Sequence, residues 1–149
     1  MYEYKAKLVK IVDGDTVDVD IDLGFGVWLK NERVRIMGID TPESRTRDKV
    51  EKIFGLAAKD RVKELIEKDT ILKTFAAKDG EDMKGKFGRI LGDFKIGEKM
   101  LTEILIEEGH AVKYFGQNKA DVERGHMSNR NKLMNEGVVS AKDVQEAAG

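Results

Sequence analysis

The chain has 149 residues, of which 27 are basic and 28 acidic, and its net charge is −1 at pH 7. This length is most simply one domain, and the balanced charge excludes tight binding of nucleic acid by overall charge alone. Cysteine is absent, which excludes disulfides, thiolate catalysis and cysteine-ligated metal. The chain has no long apolar run and begins without a signal-peptide pattern, so we expect no membrane partner and a cytoplasmic or other intracellular location.

The first part of the chain predicts β-strands. Residues 2–12 mix apolar and lysine positions. Residues 15–22 alternate strictly, with Val17, Val19 and Ile21 on one face and Asp18, Asp20 and Asp22 on the other, which is typical of a half-buried strand. By the same alternation, Asp13 and Asp15 lie on the apolar row. We therefore expect both to face inward where one end of a sheet or barrel opens. A glycine-rich turn then leads to a third predicted strand over about 27–39.

A long amphipathic helix follows this strand. Asp48 is placed as its N-cap, with Glu51 as the reciprocal partner of a capping box. Apolar residues recur behind Asp48 at helical spacing as far as about Lys68. Two further strands are predicted over 71–77 and 88–96, and a glycine-rich charged loop separates them.

The last part of the chain predicts helices. A short helix over 100–108 ends at Gly109, and a more weakly patterned helix over 118–136 is interrupted by Gly125. The residues that follow are expected to form either a frayed end or a short docked helix.

The order of these elements fits an α+β domain built on a curled antiparallel sheet. A five-stranded OB-type β-barrel with about three α-helices is one such solution. We assign this domain to residues 1–137 and treat residues 138–149 as a C-terminal tail.

Acidic residues near the ends of two predicted strands form a candidate metal site. Asp15 and Asp40 could lie on neighbouring strands, and paired carboxylates with backbone carbonyls suit a hard cation such as Ca²⁺ or Mg²⁺. Asp-Gly and Asp-Thr-Pro are also ordinary turn sequences, so turn chemistry is the competing interpretation. Pro42 stiffens the backbone between Asp40 and Glu43 in either case.

Two arginines and a glutamate could complete a phosphate site. Arg35 and Arg89 could neutralise charge on the oxygens of a reacting phosphate, although surface ion pairs would use the same residues. Glu43 could act as a general base or hold a water molecule, or it could pair with a neighbouring arginine. Strict strand alternation puts Arg35 and Asp40 on opposite faces, and Gly38 marks where a bulge could redirect one of them.

Three blocks of sequence occur in order along the chain. They are Asp13-Gly14-Asp15-Thr16-Val17, then Arg35 with Gly38-Ile39-Asp40-Thr41-Pro42-Glu43, and then Lys86-Phe87-Gly88-Arg89. Together they resemble the staphylococcal (micrococcal) nuclease family, and the resemblance covers roughly residues 2–136. It implies an OB barrel with helices. It also implies calcium-dependent hydrolysis of DNA and RNA with low sequence specificity, leaving 3′-phosphate and 5′-hydroxyl ends.

The resemblance implies a metal-binding role for residues of the first two blocks. Asp15 and Asp40 would hold Ca²⁺, or Mg²⁺ or Mn²⁺ in its place, with the backbone carbonyl of Thr41. Asp13 would act in the outer shell of the cation.

The resemblance also implies how the phosphate would be attacked. Arg35 and Arg89 would bind the scissile phosphate and stabilise its transition state. Glu43 would direct the attacking water. Lys86 matches a lysine that contacts a terminal phosphate.

Aromatic residues would complete the substrate site. Phe87 stands where the secreted archetype has a tyrosine, and Tyr114 matches a tyrosine of its nucleotide pocket only loosely. Stacking on aromatic rings tolerates every base and favours unstacked strands, so we expect DNA and RNA as partners, with single strands preferred. We expect the protein to be a monomer.

Two other functions fit the same fold. A non-catalytic OB module could bind nucleic acid without cutting it, and a protein-interaction domain could retain a vestigial metal site. The presence of all five residues of the catalytic set favours catalysis over both; they are Asp15, Arg35, Asp40, Glu43 and Arg89.

Overall fold

The computed structural model describes residues 2–75 and 89–149. Eight strands and four helices occur in this part of the chain. In chain order they are β1 (Tyr2–Asp13), β2 (Thr16–Gly24), β3 (Val27–Ile36), β4 (Ile39–Asp40), α1 (Lys49–Leu65), β5 (Asp69–Thr74), β6 (Ile90–Ile96), β7 (Lys99–Met100), α2 (Leu101–Glu108), β8 (Val112–Lys113), α3 (Lys119–Asn135) and α4 (Ala141–Ala148).

Five of the strands close into a barrel. The hydrogen-bonded order is β3-β2-β1-β5-β6, and these pairs are antiparallel. A parallel pairing of β3 with β6 closes the ring and brings Val34 beside Ile90 and Arg35 beside Leu91. The fold is therefore the predicted α+β OB barrel.

The alternation in β2 orients this strand as predicted. Val17, Val19 and Ile21 are buried in the core. The aspartates on the opposite face are paired: Asp18, for example, accepts hydrogen bonds from Arg33 at 2.9 and 3.2 Å. The aspartate row therefore belongs to the outer surface of the barrel.

The predicted strand over 27–39 is two strands, and this part of the prediction was wrong. Strand β3 ends at Ile36, Gly38 adopts a φ of 87°, and the next two residues form β4. Strand β4 leaves the barrel and pairs with β8, with Asp40 opposite Val112. Because Asp40 does not continue the strand of Arg35, strand alternation does not separate the two side chains.

Helix α1 begins at the predicted cap and ends a turn early, at Leu65. Asp48 accepts hydrogen bonds from the backbone N–H groups of Val50 and Glu51. The predicted reciprocal contact is absent, since the N–H of Asp48 donates to the Thr46 hydroxyl. Glu51 instead accepts a hydrogen bond from a different part of the chain, described below.

The C-terminal residues form a fourth helix, one more than predicted. Ser140 caps α4 by accepting a hydrogen bond from the N–H of Asp143. Val139, just before α4, is buried with Phe54 of α1 and Leu133 of α3 in a small second apolar cluster. The end of the chain is therefore packed against the domain. No helix within the described ranges is long and apolar enough to cross a membrane.

Candidate active site

The carboxylate of Asp15 lies where three parts of the chain meet. Its Oδ2 is 3.4 Å from Nη2 of Arg35 and 3.3 Å from the backbone nitrogen of Thr41. Its Oδ1 accepts a hydrogen bond from the Thr16 hydroxyl at 3.1 Å. The structure therefore brings together three of the predicted site residues, from the β1–β2 turn, from β3 and from the segment after β4.

Asp40 lies on β4, directly before Thr41. The N–H of Thr41 contacts Asp15, so Asp15 reaches the residue that directly follows Asp40. The Oδ2 of Asp40 is 2.7 Å from Nε2 of His126, a residue of α3. Its carboxylate thus contacts a part of the chain far from the other site residues in sequence.

Gly14 allows the β1–β2 turn to approach this peptide. A Cβ at residue 14 would lie 3.0 Å from the Thr41 hydroxyl oxygen and 2.9 Å from Cβ of Ala58. Asp13, beside it, accepts a hydrogen bond from the N–H of Ser44 at 3.1 Å. The turn that carries Asp15 is therefore packed against both α1 and the loop that carries Glu43.

Glu43 is held through its backbone. Its N–H donates to Oε2 of Glu51 at 2.9 Å. A Cβ on Gly55 would come within 2.2 Å of the Glu43 carbonyl oxygen and 2.6 Å of the Ser44 nitrogen. Helix α1 thus contacts Glu43 at two points, by a hydrogen bond to its N–H and by the close approach of Gly55 to its carbonyl.

Arg35 is fixed by main-chain acceptors as well as by Asp15. Its guanidinium donates to the carbonyl of Ile36 and, at 2.9 Å, to the carbonyl of Ile39. These bonds tie the end of β3 to the start of β4. Five N–H donors are available on a guanidinium, so donor capacity remains for a phosphate.

Arg89 immediately precedes β6. Arg89 lies two residues before Leu91, and Leu91 is the strand partner of Arg35. Residues two apart share a face of a sheet, so the backbone directs Arg89 to the face that carries Arg35. The predicted substrate residues Lys86 and Phe87 lie outside the described residues.

A cleft of about 650 Å³ opens beside Asp40. Loop residues after β4 line one wall, and α3 with the segment before it lines the other. Tyr114 is 46 % exposed in this cleft, and its N–H donates to the Gly38 carbonyl at 2.9 Å. Members of the lining include Asp40, Pro42, Glu43, Tyr114, His126 and Arg130. The predicted substrate residue Tyr114 therefore shares a cleft with two predicted catalytic-site carboxylates.

The donor set fits a hard divalent cation. Asp15, Asp40 and the Thr41 carbonyl offer only oxygen ligands, which Ca²⁺ and Mg²⁺ prefer. Across residues 2–75 and 89–149, no three or more His, Asp or Glu side chains cluster as a metal site. Two carboxylates with one carbonyl would leave coordination positions for water and substrate oxygens.

Sequence reasoning missed four residues that build the site. Glu51 was assigned to a helix cap, and His126 carried no pattern of its own. Gly55 lies inside a helical pattern, where a glycine signals close packing without showing what it packs against. Gly125 was noticed only as an interruption of a helix.

Comparisons with known proteins identify the family of the chain. The family described as "Staphylococcal nuclease homologue" matches residues 33–137. The chain is 28 % identical over 123 residues to the thermonuclease of Staphylococcus hyicus, and this alignment covers 82 % of this chain and 67 % of that protein. It is 31 % identical over 123 residues to endonuclease YncB of Bacillus subtilis, an alignment that covers 76 % of this chain and 54 % of that protein. It is 29 % identical over 126 residues to the micrococcal nuclease of Shigella flexneri, an alignment that covers 77 % of this chain and 62 % of that protein.

The matched part spans about two thirds or less of the length of these relatives. The family match covers well over half of this chain and includes Arg35, Asp40, Glu43 and Arg89. The chain therefore belongs to the staphylococcal nuclease family.

Proposed function

We propose that the protein is a metal-dependent nuclease that hydrolyses phosphodiester bonds of DNA and RNA, with Ca²⁺ as its cation. The observation that carries the proposal is the contact of Asp15 with both Arg35 and Thr41. It joins the carboxylate that we assign to the cation to the guanidinium that we assign to the phosphate, and to the peptide next to Asp40. The nuclease names of the relatives support the same reaction.

Asp15, Asp40 and the Thr41 carbonyl would hold the cation. When bound, a divalent cation supplies Lewis-acid polarisation of a phosphoryl oxygen and of water. Asp15 accepts a hydrogen bond from the N–H of Thr41, the residue after Asp40, so this backbone segment links the two proposed ligands. Bonds to Arg35, Thr16 and Thr41 orient Asp15 before any ligand arrives.

Arg35 and Arg89 would bind the non-bridging phosphate oxygens. Their charge would offset the negative charge that increases on these oxygens as water attacks phosphorus. Glu43 would orient the water and accept its proton. The water oxygen would bond to phosphorus as the bond from phosphorus to the 5′ oxygen breaks, and that oxygen would take a proton from solvent. The products would carry a 3′-phosphate and a 5′-hydroxyl.

The cleft beside Asp40 would take the nucleotide. Tyr114 offers a half-exposed ring on which any base can stack, and stacking on a side chain requires an unstacked base. We therefore propose that single strands are cut faster than duplex. We also propose a monomer as the active form.

The experiment is hydrolysis of single-stranded DNA, duplex DNA and RNA with Ca²⁺, Mg²⁺, Mn²⁺ or a chelator. We expect calcium-dependent cleavage that the chelator abolishes. Glu43→Gln should slow cleavage by about 10²–10⁴-fold, the usual contribution of a general base, with substrate binding nearly intact. Glu123→Gln is the matched control, because it removes the same charge from the same cleft.

The products provide a second measurement. The new 5′ ends should accept a phosphate from a polynucleotide kinase without prior dephosphorylation. If the protein binds the strand and cuts nothing with any of the cations, it is the non-catalytic OB module. If Glu43→Gln cuts at the wild-type rate, the role assigned to Glu43 is wrong.

A further inference from the structure

His126 makes a close contact with the site that the proposed mechanism does not use. Its Nε2 is 2.7 Å from Oδ2 of Asp40, and its side chain is only 14 % exposed. Its other ring nitrogen, Nδ1, is buried and has no hydrogen-bond partner in the described part of the chain. The imidazole is thus mostly buried at the wall of the cleft, and the polar contact described for it is with Asp40.

The tautomer follows from these surroundings. A proton on Nδ1 would be a buried donor with nothing to accept it, which costs about 1–3 kcal/mol. A proton on Nε2 is donated to a carboxylate oxygen. The favourable arrangement therefore places the proton on Nε2 and directs it at Asp40.

The backbone around His126 is built to keep this contact. Val112 is the strand partner of Asp40. A Cβ on Gly125, the residue before His126, would come within 2.9 Å of the Val112 side chain. One turn further along α3, Asn129 donates from Nδ2 to the carbonyl of Ala111 at 3.2 Å. Helix α3 is therefore packed closely against β8, the strand partner of β4, beside His126.

We propose that His126 is a positioning residue for Asp40. Its Nε2–H bond to Oδ2 fixes the plane of the carboxylate. A carboxylate offers about four acceptor directions, so ligand capacity remains for the cation. The inference rests on the proposed function in one respect, that Asp40 holds a cation. It adds the residue that sets how Asp40 is presented.

The first test is calcium binding, measured by calorimetry on the full chain without substrate. We expect His126→Leu to weaken calcium binding by about 10–100-fold, the usual effect of removing a hydrogen bond that orients a ligand. His126→Gln keeps an N–H donor on a side chain of similar reach and should recover part of the affinity. His110→Gln is the control, because it changes the only other histidine of the sequence and His110 does not line the Asp40 cleft. This variant should bind calcium with the affinity of the wild type.

The second test reads the tautomer directly. Long-range ¹H–¹⁵N spectra of the free protein contain the signals of two imidazoles. The His110→Gln variant lacks the His110 signals, so the signals that remain belong to His126. We expect His126 to carry its proton on Nε2. A proton on Nδ1 in the neutral ring would overturn the inference, as would unchanged calcium affinity in a folded His126→Leu protein.

Cleavage assays separate this inference from the proposed function. At saturating calcium, His126→Leu should regain most of its cleavage rate, because the cation then fills the site despite the weaker ligand. If the wild type binds calcium and cuts nothing, the proposed nuclease function fails and the calorimetry still decides the role of His126. If the wild type binds no calcium, the inference fails as well.

Discussion

Gly55 and Glu43 lie in direct contact: a Cβ on residue 55 would be 2.2 Å from the Glu43 carbonyl oxygen. Backbone atoms surround this point, so no flexible side chain can move aside to make room. The position of the Glu43 backbone is therefore set by how closely α1 can approach it, and that approach requires a glycine.

Gly55→Ala should destabilise the protein by about 1–3 kcal/mol, the typical cost of overpacking, and should lower the cleavage rate. Alanine in a helix normally stabilises relative to glycine by about 0.5–1 kcal/mol, so the sign of the change is diagnostic. Urea unfolding and initial cleavage rates provide the two measurements. A more stable, fully active Gly55→Ala protein would show that the contact does not constrain Glu43.

Glu51 should matter for activity although it is not a catalytic residue. Glu51→Ala removes the acceptor of the Glu43 N–H, so the loop loses its attachment to α1 and the cleavage rate should fall. Glu51→Gln retains an acceptor oxygen and should keep most of the rate. Helix α1 keeps its Asp48 cap in both variants, and circular dichroism should confirm this. Equal rates for the two variants would contradict the positioning role.

Arg35 should contribute to stability as well as to catalysis. Arg35→Lys replaces a planar fork by a single ammonium, which cannot serve the Ile36 carbonyl, the Ile39 carbonyl and Asp15 together. We expect a loss of about 1–3 kcal/mol in urea unfolding. Arg33→Lys is the matched control on the same strand, because its exposed pair with Asp18 is worth about 0–1 kcal/mol. An equal loss of unfolding free energy in both variants would contradict the structural role assigned to Arg35.

Arg89→Ala should reduce the cleavage rate by about 10²–10³-fold, as expected for loss of a group that stabilises the transition state. Calcium affinity should fall at most modestly, since Arg89 is not a ligand. Calorimetry and single-turnover rates separate the two effects. Arg124→Ala, which removes an exposed arginine paired with Asp121, is the control. A collapse of calcium binding in Arg89→Ala would mean that Arg89 is structural.

His110 should make the fold sensitive to acid. The residue is 4 % exposed, and burial lowers the pKa of its imidazole. The unfolded chain therefore binds a proton more readily than the folded chain, and the free energy of unfolding falls as pH drops below the ordinary histidine pKa of about 6.5. Urea unfolding between pH 8 and pH 5 measures this dependence. We expect His110→Leu to flatten it and His126→Gln to leave most of it. An unchanged slope in His110→Leu would assign the acid sensitivity to other groups.

The barrel could be predicted from sequence because its strands obey a local rule. Alternation in β2 placed Val17, Val19 and Ile21 in the core without any knowledge of their neighbours. The two-residue strands β4 and β8 could not be predicted in this way, because two residues show no period. Their pairing depends on contacts between distant parts of the chain.

The residues of the site also fall into those that the sequence predicted and those that it did not. Asp15, Arg35, Asp40 and Glu43 lie in recognisable motifs and were predicted as a group, and the structure brings Asp15, Arg35 and the Asp40–Thr41 peptide into contact. The supporting residues carry no such signal. His126, for example, is a single histidine in a weakly patterned helix, and only the folded chain places it against Asp40.

The pairing of Asp40 with Val112 also affects how the protein is made. A ribosome releases the chain from its N-terminus, so Asp40 leaves the exit tunnel long before its strand partner, and His126 leaves later still. A nascent chain that already holds the Asp15 turn cannot yet hold Asp40 in its final place. The contact between Asp40 and His126 therefore forms only after α3 has left the tunnel.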